Sequence, residues 1–239
     1  MIDAPRRRCA HAPAALAEVS PEYRWPDGTV VAWYLDLSTV PLPLDLSEAE
    51  AQIESAIAEH SAQCGSISIG RTAYPQFARV VIGFEPLLPQ EPGTVTLGLT
   101  DLPANAGPQT VLRMRLNSQR LWTPEELREV ALHEFGHALG LGHSPAGIVA
   151  VMSAYLNPDA KTLQPWDVAQ DQLRYGAPPP APAADPQPAA GAPTATADAT
   201  PWLKPFDFEF QIDTPGAYQL TASFDVVNGQ VVNVTLKRQ

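Results

Sequence analysis

Cysteine is nearly absent from this chain, which has two, Cys9 and Cys64, among 239 residues. Two cysteines can form at most one bond, so a disulfide framework and a cysteine-rich metal site are both excluded. A Cys9–Cys64 bond and two free thiols both stay open, and neither identifies the cellular compartment.

Basic residues and long apolar runs are also scarce. Lys and Arg number 15 against 26 Asp and Glu, and the net charge is −11 at pH 7. Nucleic acids and anionic membranes bind basic surfaces, and the one basic run here is Arg6-Arg7-Arg8. We therefore expect neither partner, and no apolar stretch is long enough to predict a membrane span.

The start of the chain lacks a convincing signal peptide. After the basic run the sequence is weakly apolar, and His11 and Pro13 interrupt it. Either the protein is not exported by this route or a further segment precedes residue 1, and we favour the second interpretation.

Proline and alanine are abundant in one segment. Residues 177–200 consist almost entirely of Ala, Pro, Thr and Asp, with seven prolines and no large apolar side chain. Such a segment cannot bury enough surface to order itself, and it is predicted to be an extended, semi-stiff linker. It separates a larger body from a tail at residues 201–239.

The body has the pattern of an α+β fold. Alternating or β-branched runs predict five strands, at residues 30–36, 66–70, 79–84, 95–100 and 111–116. Three helices are also predicted, and the order is strand, helix, four strands, helix, helix.

Local signals mark the ends of these helices. The first follows Ser47, which is predicted to form a capping box with Glu50. The second has Thr123 as its N-cap and ends at Gly140, where a left-handed C-cap suits glycine. The third is short and spans roughly residues 165–176.

The tail predicts a small all-β module. Apolar and polar residues alternate at 206–212 and 218–224, and Asn228-Gly229 is a strong hairpin signal before a last strand at 231–236. Three or four short strands are marginal alone, so we expect the module to pack on something or to dimerise. It either binds a substrate or surface, or serves only in packing.

One short stretch carries the chemistry: His-Glu-Phe-Gly-His-Ala-Leu-Gly-Leu-Gly-His, beginning at His133. His133 and His137 are four residues apart on the second predicted helix, so both rings face a single zinc ion. Gly140 lets the chain leave the helix sharply and brings His143 to the same metal. Glu134 lies beside the fourth position, where it can take a proton from water and pass it to a leaving amine.

The number of ligands distinguishes two kinds of zinc site. Three protein ligands with an open fourth position are typical of a catalytic zinc, because four protein ligands close a structural site. One catalytic zinc ion is therefore expected. The alternative, a helix that carries histidines by chance, requires five fixed positions to coincide with helix start and stop signals.

The motif resembles that of the metzincin zinc peptidases and, among them, the matrixins, which are matrix-metalloproteinase-like. Residues 131–137 and Ser144 after the third histidine are matrixin-like. Val151-Met152-Ser153 lies where these enzymes have a methionine turn beneath the zinc, so the resemblance implies that Met152 is a supporting residue; an ordinary core methionine is the alternative. The similarity spans residues 24–176 and implies a metzincin-like catalytic domain with a five-stranded mixed sheet and three helices.

This resemblance implies a secreted zinc endopeptidase that acts on protein or peptide substrates, such as those of the extracellular matrix. Residues 1–23 would then include the end of a propeptide. A substrate is expected to pair with the exposed edge of the strand at 95–100. The rival is a catalytically silent, zinc-stabilised binding or adhesion module. The natural substrate and the oligomeric state do not follow from the sequence.

Two stretches depart from the family pattern. Residues 85–107, where matrixins bind a second zinc and calcium, contain no histidine and few acids. A structural zinc is therefore not expected, and calcium is left open. Ser153-Ala154-Tyr155 replaces the usual Pro-x-Tyr of the specificity pocket, so Tyr155 is a pocket wall, a transition-state donor or an ordinary packed tyrosine.

Cys9 is a candidate latency switch. Matrixin propeptides place a cysteine after Pro-Arg at a similar distance from the catalytic domain, and its thiolate blocks the zinc. Cys9 follows the basic run, but the glycine and aspartate that normally come next are absent. A free thiol and a bond to Cys64 are the alternatives.

Overall fold

A computed structural model describes the backbone of residues 6–11, 23–89, 92–180, 208–209, 220–227 and 230–238, and the side chains of 23–89 and 92–180. Most of the predicted linker and the Asn228-Gly229 turn lie outside the described residues. The chain divides into two compact units, Met1–Pro182 and Ala183–Gln239.

The first unit contains a mixed sheet. Its strands are β1 (Arg6–His11), β2 (Val30–Leu35), β3 (Ser68–Arg71), β4 (Val80–Glu85), β5 (Thr94–Thr100) and β6 (Leu112–Asn117). They lie in the order β1-β5-β6-β4-β2-β3. Strands β3, β2, β4 and β6 are parallel, and β5 is antiparallel to β6. The five predicted strands and the mixed character of their sheet are confirmed.

Strand β1 is an addition that the sequence pattern did not predict. It pairs in parallel with β5, with Arg8 opposite Thr96 and Cys9 opposite Gly98, and the register shifts between Arg8 and Cys9. A run of arginines lacks the alternation of apolar residues that signals a strand. The edge of β5, which we expected to be exposed, is therefore covered by a segment of the same chain.

Three helices complete this unit: α1 (Leu46–Ser61), α2 (Pro124–Ala138) and α3 (Pro165–Tyr175). The N-cap predicted for α1 is wrong, because the N-cap is Asp45, two residues before Ser47, and the helix begins at Leu46. The carboxylate of Asp45 accepts hydrogen bonds from the backbone N–H groups of Ser47 and Glu48, and a carboxylate also suits the positive end of the helix dipole. For α2, the Thr123 hydroxyl accepts from the Glu126 N–H at 3.2 Å.

The core lies between the sheet and the packed pair α1 and α2. Alternate side chains of β2 and β4 point into it, since the burial of each strand has a period of two. Their apolar partners on α1 include Ile53 and Ile57, and those on α2 include Leu127 and Val130. The sheet thereby holds α2, which carries the histidine motif, in a fixed place.

Two aromatic side chains close the C-terminal end of α2. The Trp25 indole N–H donates to the Ala138 carbonyl at 2.9 Å, and the Tyr175 hydroxyl donates to the Leu139 carbonyl at 2.6 Å. That hydroxyl also accepts from the backbone N–H of Trp25 at 3.2 Å. Carbonyls at the end of a helix have no partner within it, so these bonds let the end be buried.

The second unit is a three-stranded antiparallel sheet of β7 (Phe208–Glu209), β8 (Leu220–Val227) and β9 (Gln230–Arg238). Val227 pairs with Gln230, as in a hairpin. No helix among the residues that the structure describes has both the length and the apolar character needed to cross a membrane.

The aromatic closure of α2 predicts that Tyr175→Phe lowers the free energy of unfolding by about 1–3 kcal/mol. The change leaves the Leu139 carbonyl and the Trp25 N–H buried without a partner, and such orphaned groups cost this much. Urea denaturation measures the loss. Tyr74→Phe is the control, since Tyr74 is 59% exposed, and it should change stability by less than about 0.5 kcal/mol. Equal stability of both variants would contradict this account.

Candidate metal centre

Helix α2 brings His133 and His137 together. They are four positions apart in the sequence, so they lie about one turn apart on the same face, and both are buried. Their Nε2 atoms are 3.0 Å apart, and their ring centroids are 4.7 Å apart. Two imidazoles that face one point in this way can bind a single ion.

The chain turns back at Gly140. The N–H of Gly140 donates to the His137 carbonyl at 2.7 Å, and the N–H of Leu141 donates to the Gly136 carbonyl at 2.9 Å. This is a Schellman motif, with Gly140 in the left-handed region at φ 89°. A Cβ atom there would also lie 1.9 Å from the Tyr23 carbonyl oxygen, so only glycine fits.

After this turn His143 joins the other two histidines. Its ring centroid lies 5.3 Å from that of His133 and 4.9 Å from that of His137. One ligand atom from each of the three lies within 4.8 Å of the others. Among the residues that the structure describes, this is the only group of three or more side chains placed to hold a metal ion.

The second ring nitrogens determine which atoms face the metal. His133 Nδ1 lies 2.7 Å from the Val151 carbonyl oxygen, and His137 Nδ1 lies 2.8 Å from that of Leu141. A carbonyl can only accept, so each Nδ1 carries the proton and each Nε2 presents a lone pair. Nitrogens bound tetrahedrally to zinc at about 2.0–2.1 Å lie roughly 3.3 Å apart. The donor set therefore fits zinc.

Glu134 is buried between α2 and β5. The Thr100 hydroxyl donates to its Oε2 at 2.6 Å. A Cβ atom on Gly98 would lie 2.4 Å from Glu134 Oε1, so the backbone of β5 approaches the carboxylate closely because Gly98 has no side chain. The carboxylate is thus held in one position beside the histidines.

Met152 packs against α2 at Gly136. It is fully buried, and its Sδ lies 2.4 Å from where a Cβ of Gly136 would be. Two hydrogen bonds hold the Met152 backbone. Its carbonyl accepts from the Ser144 N–H at 2.7 Å, and its N–H donates to Asp167 Oδ1 at 3.1 Å. The other oxygen of Asp167 accepts from the Val151 N–H at 2.9 Å. Helix α3 therefore holds this turn against α2.

Tyr155 lies at a pocket next to the histidines. A cavity of about 500 Å³ is lined by residues 144–149 and 153–158, and its wall begins directly after His143. Tyr155 is 38% exposed there.

The two cysteines differ in their surroundings. Cys64 is a buried free thiol, so the bond to Cys9 is not formed. Burial, together with the charge of Asp171, raises the pKa of the Cys64 thiol well above its usual range. It therefore stays protonated and inert. The side chain of Cys9 lies outside the described residues, but its backbone is opposite Gly98, level with Glu134.

One acidic side chain of the stretch at 85–107, that of Asp101, makes contacts with the protein. Asp101 accepts from the Arg113 N–H at 3.0 Å and forms an ion pair with Arg115. Its carboxylate is thus engaged by residues of β6, the neighbouring strand.

Several residues that hold the site in place were not predicted from the sequence. Thr100 and Asp167 act through contacts with residues distant in sequence, which no local pattern reveals. Gly98 and Gly136 had a usable signal, because glycine inside a strand or helix often marks a close approach.

Comparison with known proteins agrees with this geometry. A search of curated proteins finds no match to the chain. The family model of the matrixins matches residues 24–176, which is the part of the chain that contains the sheet from β2 to β6, the three helices and the three histidines. The chain therefore belongs to the matrixin family, and this domain is that of a zinc metallopeptidase.

Proposed function

We propose that the chain is a zinc-dependent endopeptidase that hydrolyses protein substrates, with Glu134 as the general base. The observation that carries this proposal is the pairing of three convergent histidines with a buried carboxylate held by Thr100. A structural zinc would be closed by a fourth protein ligand, and the described residues place none with the three.

The histidines, Glu134 and Thr100 each have a separate role in the proposed reaction. The three histidines would hold a zinc ion, whose charge would acidify a water molecule and polarise a carbonyl group. Glu134 takes the proton from the attacking water and passes it to the leaving amine. Thr100 holds one carboxylate oxygen, so the base meets the water in a fixed orientation.

The substrate is proposed to lie along β5 and to place one side chain in the pocket at Tyr155. Tyr155 then serves as a wall of that pocket. An extended peptide adds to a sheet edge through main-chain hydrogen bonds. Since β1 pairs with this edge, β1 and substrate compete for the same place.

Cys9 is proposed as a latency switch. Its register position opposite Gly98 brings it to the level of Glu134, and its thiolate would take the fourth position on the zinc. The parallel pairing of β1 over six residues supports this proposal, since the segment that carries Cys9 already covers the cleft edge.

We assign the segments accordingly. Residues 1–23 end a propeptide, 24–176 form the catalytic domain, 177–200 form a linker, and 201–239 form an accessory β module. Secretion and substrates of the extracellular matrix are inferred from family membership. A catalytically silent binding module is the rival, and the following measurements separate it from an enzyme.

Glu134→Gln is expected to lower peptide hydrolysis by about 10²-fold or more, because the base is lost while the ligands stay. The assay uses a fluorogenic peptide or casein and the Cys9→Ala background, so that latency does not mask activity. Zinc content, measured by metal analysis, should not change. Glu125→Gln, on the exposed side of α2, is the control and should keep full activity. A fully active Glu134→Gln enzyme would rule out the assigned role.

Metal analysis is expected to find about one zinc ion per chain, because the described residues offer one ligand set. A chelator should abolish hydrolysis, and about one equivalent of zinc should restore it. Two zinc ions per chain, or activity that survives removal of the metal, would contradict a single catalytic zinc.

Cys9→Ala is expected to raise the initial activity of the full-length chain by roughly tenfold or more, since a thiolate is a strong zinc ligand. Initial rates on a fluorogenic peptide measure the change. Cys64→Ala is the matched control and should leave latency as it is. Equal initial rates for the wild-type and Cys9→Ala chains would show that Cys9 is not the switch.

A further inference from the structure

A buried ion pair lies behind the histidine motif, on the side away from β5. His60, on the last turn of α1, and Asp171, on α3, are both fully buried. His60 Nδ1 lies 2.7 Å from Asp171 Oδ2, and His60 Nε2 lies 2.9 Å from the Leu132 carbonyl oxygen. One imidazole therefore contacts all three helices.

The partners of this ring identify its protonation state. A carbonyl oxygen and an ionised carboxylate can only accept hydrogen bonds, so both ring nitrogens must donate. A ring that donates twice is an imidazolium, and its charge is balanced by Asp171. Burial disfavours the charged ring, but the charge of Asp171, the two hydrogen bonds and the more distant Asp167 outweigh it and raise the pKa of His60.

Other charged groups lie near the pair. Asp171 interacts electrostatically with the guanidinium of Arg174, and it also raises the pKa of the Cys64 thiol, which stays neutral. Asp171 Oδ1 has no hydrogen-bond partner among the described residues. The imidazolium is thus the main compensation for a carboxylate that is otherwise costly to bury.

The position of the pair links it to the metal site. Leu132, which accepts from His60, directly precedes His133. Asp171 lies one turn after Asp167, whose carboxylate holds the backbone of Met152. At Gly136 a Cβ atom would lie 2.4 Å from Met152 Sδ and 3.4 Å from His60 Cε1. Helix α3 supplies Asp171 to the ion pair, and its Asp167 binds the methionine turn. Both the pair and the turn therefore contact the same segment of α2.

We propose that His60 and Asp171 are positioning residues, which hold the metal-binding segment of α2 against the methionine turn through the Leu132 carbonyl. The proposal rests on the proposed function, because the segment that they hold contains two zinc ligands and the catalytic base. A shift of this segment changes where the histidine nitrogens meet, and zinc affinity reports that directly.

The test uses the full-length chain in the Cys9→Ala background. Asp171→Asn removes the charge and keeps the shape. The double variant His60→Phe with Asp171→Leu replaces the pair by apolar groups, which commonly preserves folding. Ile57→Ala is the matched control, because it lowers stability from one turn earlier on α1 and leaves His60 in place.

Three readouts are compared. Ring ¹⁵N NMR shifts should show both nitrogens of His60 protonated at neutral pH in the Cys9→Ala chain, because both face acceptors. Competition with a chelator should show zinc affinity weakened about tenfold in both pair variants, as for other residues that orient metal ligands, and unchanged in Ile57→Ala. Hydrolysis of a fluorogenic peptide by the zinc-loaded variants should show a lower kcat with KM within about twofold, since the change acts on catalytic geometry.

Two results would overturn the inference. One is wild-type zinc affinity in the folded double variant, and the other is an equal loss of affinity in Ile57→Ala at matched stability. A Cys9→Ala chain that binds zinc but hydrolyses no peptide would overturn the proposed function alone, because the affinity and NMR readouts decide the role of His60 without it.

Discussion

The site depends on two hydrogen bonds that lie behind the metal ligands. The Nδ1 atoms of His133 and His137 each donate to a main-chain carbonyl, and this leaves both Nε2 atoms as lone-pair donors that face one point. The two carbonyls belong to Val151, in the methionine turn, and Leu141, just after the helix. Both turns must therefore be in place before the ligands converge, and much of the surrounding structure holds those turns.

Helix α3 does this although it supplies no ligand. Its Asp167 binds two N–H groups of the methionine turn, its Asp171 binds His60, and its Tyr175 closes the end of α2. The carboxylates of Asp167 and Asp171 are fully buried, which is unfavourable unless each is hydrogen-bonded. Their cost is offset by contacts that fix the geometry of the site.

The features that could be predicted are those determined by interactions between residues close in sequence. Helix α2 could be predicted because Thr123 and Gly140 mark its ends, and the histidine spacing places two ligands on one face whatever surrounds them. The five strands followed from alternation. Strand β1 could not be predicted, because an arginine run carries no apolar period and its pairing with β5 joins segments about 90 residues apart. Likewise, no pattern near His60 predicts its contact with Asp171, which lies 111 residues away in sequence.

On the proposal that a propeptide precedes the catalytic domain, the close contact between Gly140 and Tyr23 limits where that propeptide can be removed, and it groups Tyr23 with the domain. The Tyr23 carbonyl packs where a side chain on Gly140 would be, and it also accepts a hydrogen bond from Arg174. Tyr23 is thus part of the support of the metal site, whereas β1 only covers the cleft. A protease that cut within residues 12–22 would detach the cover and spare the support. Trimming beyond Tyr23 would free the cleft and at the same time loosen the turn that carries His143, so on this proposal the boundary for a productive cut lies just before Tyr23.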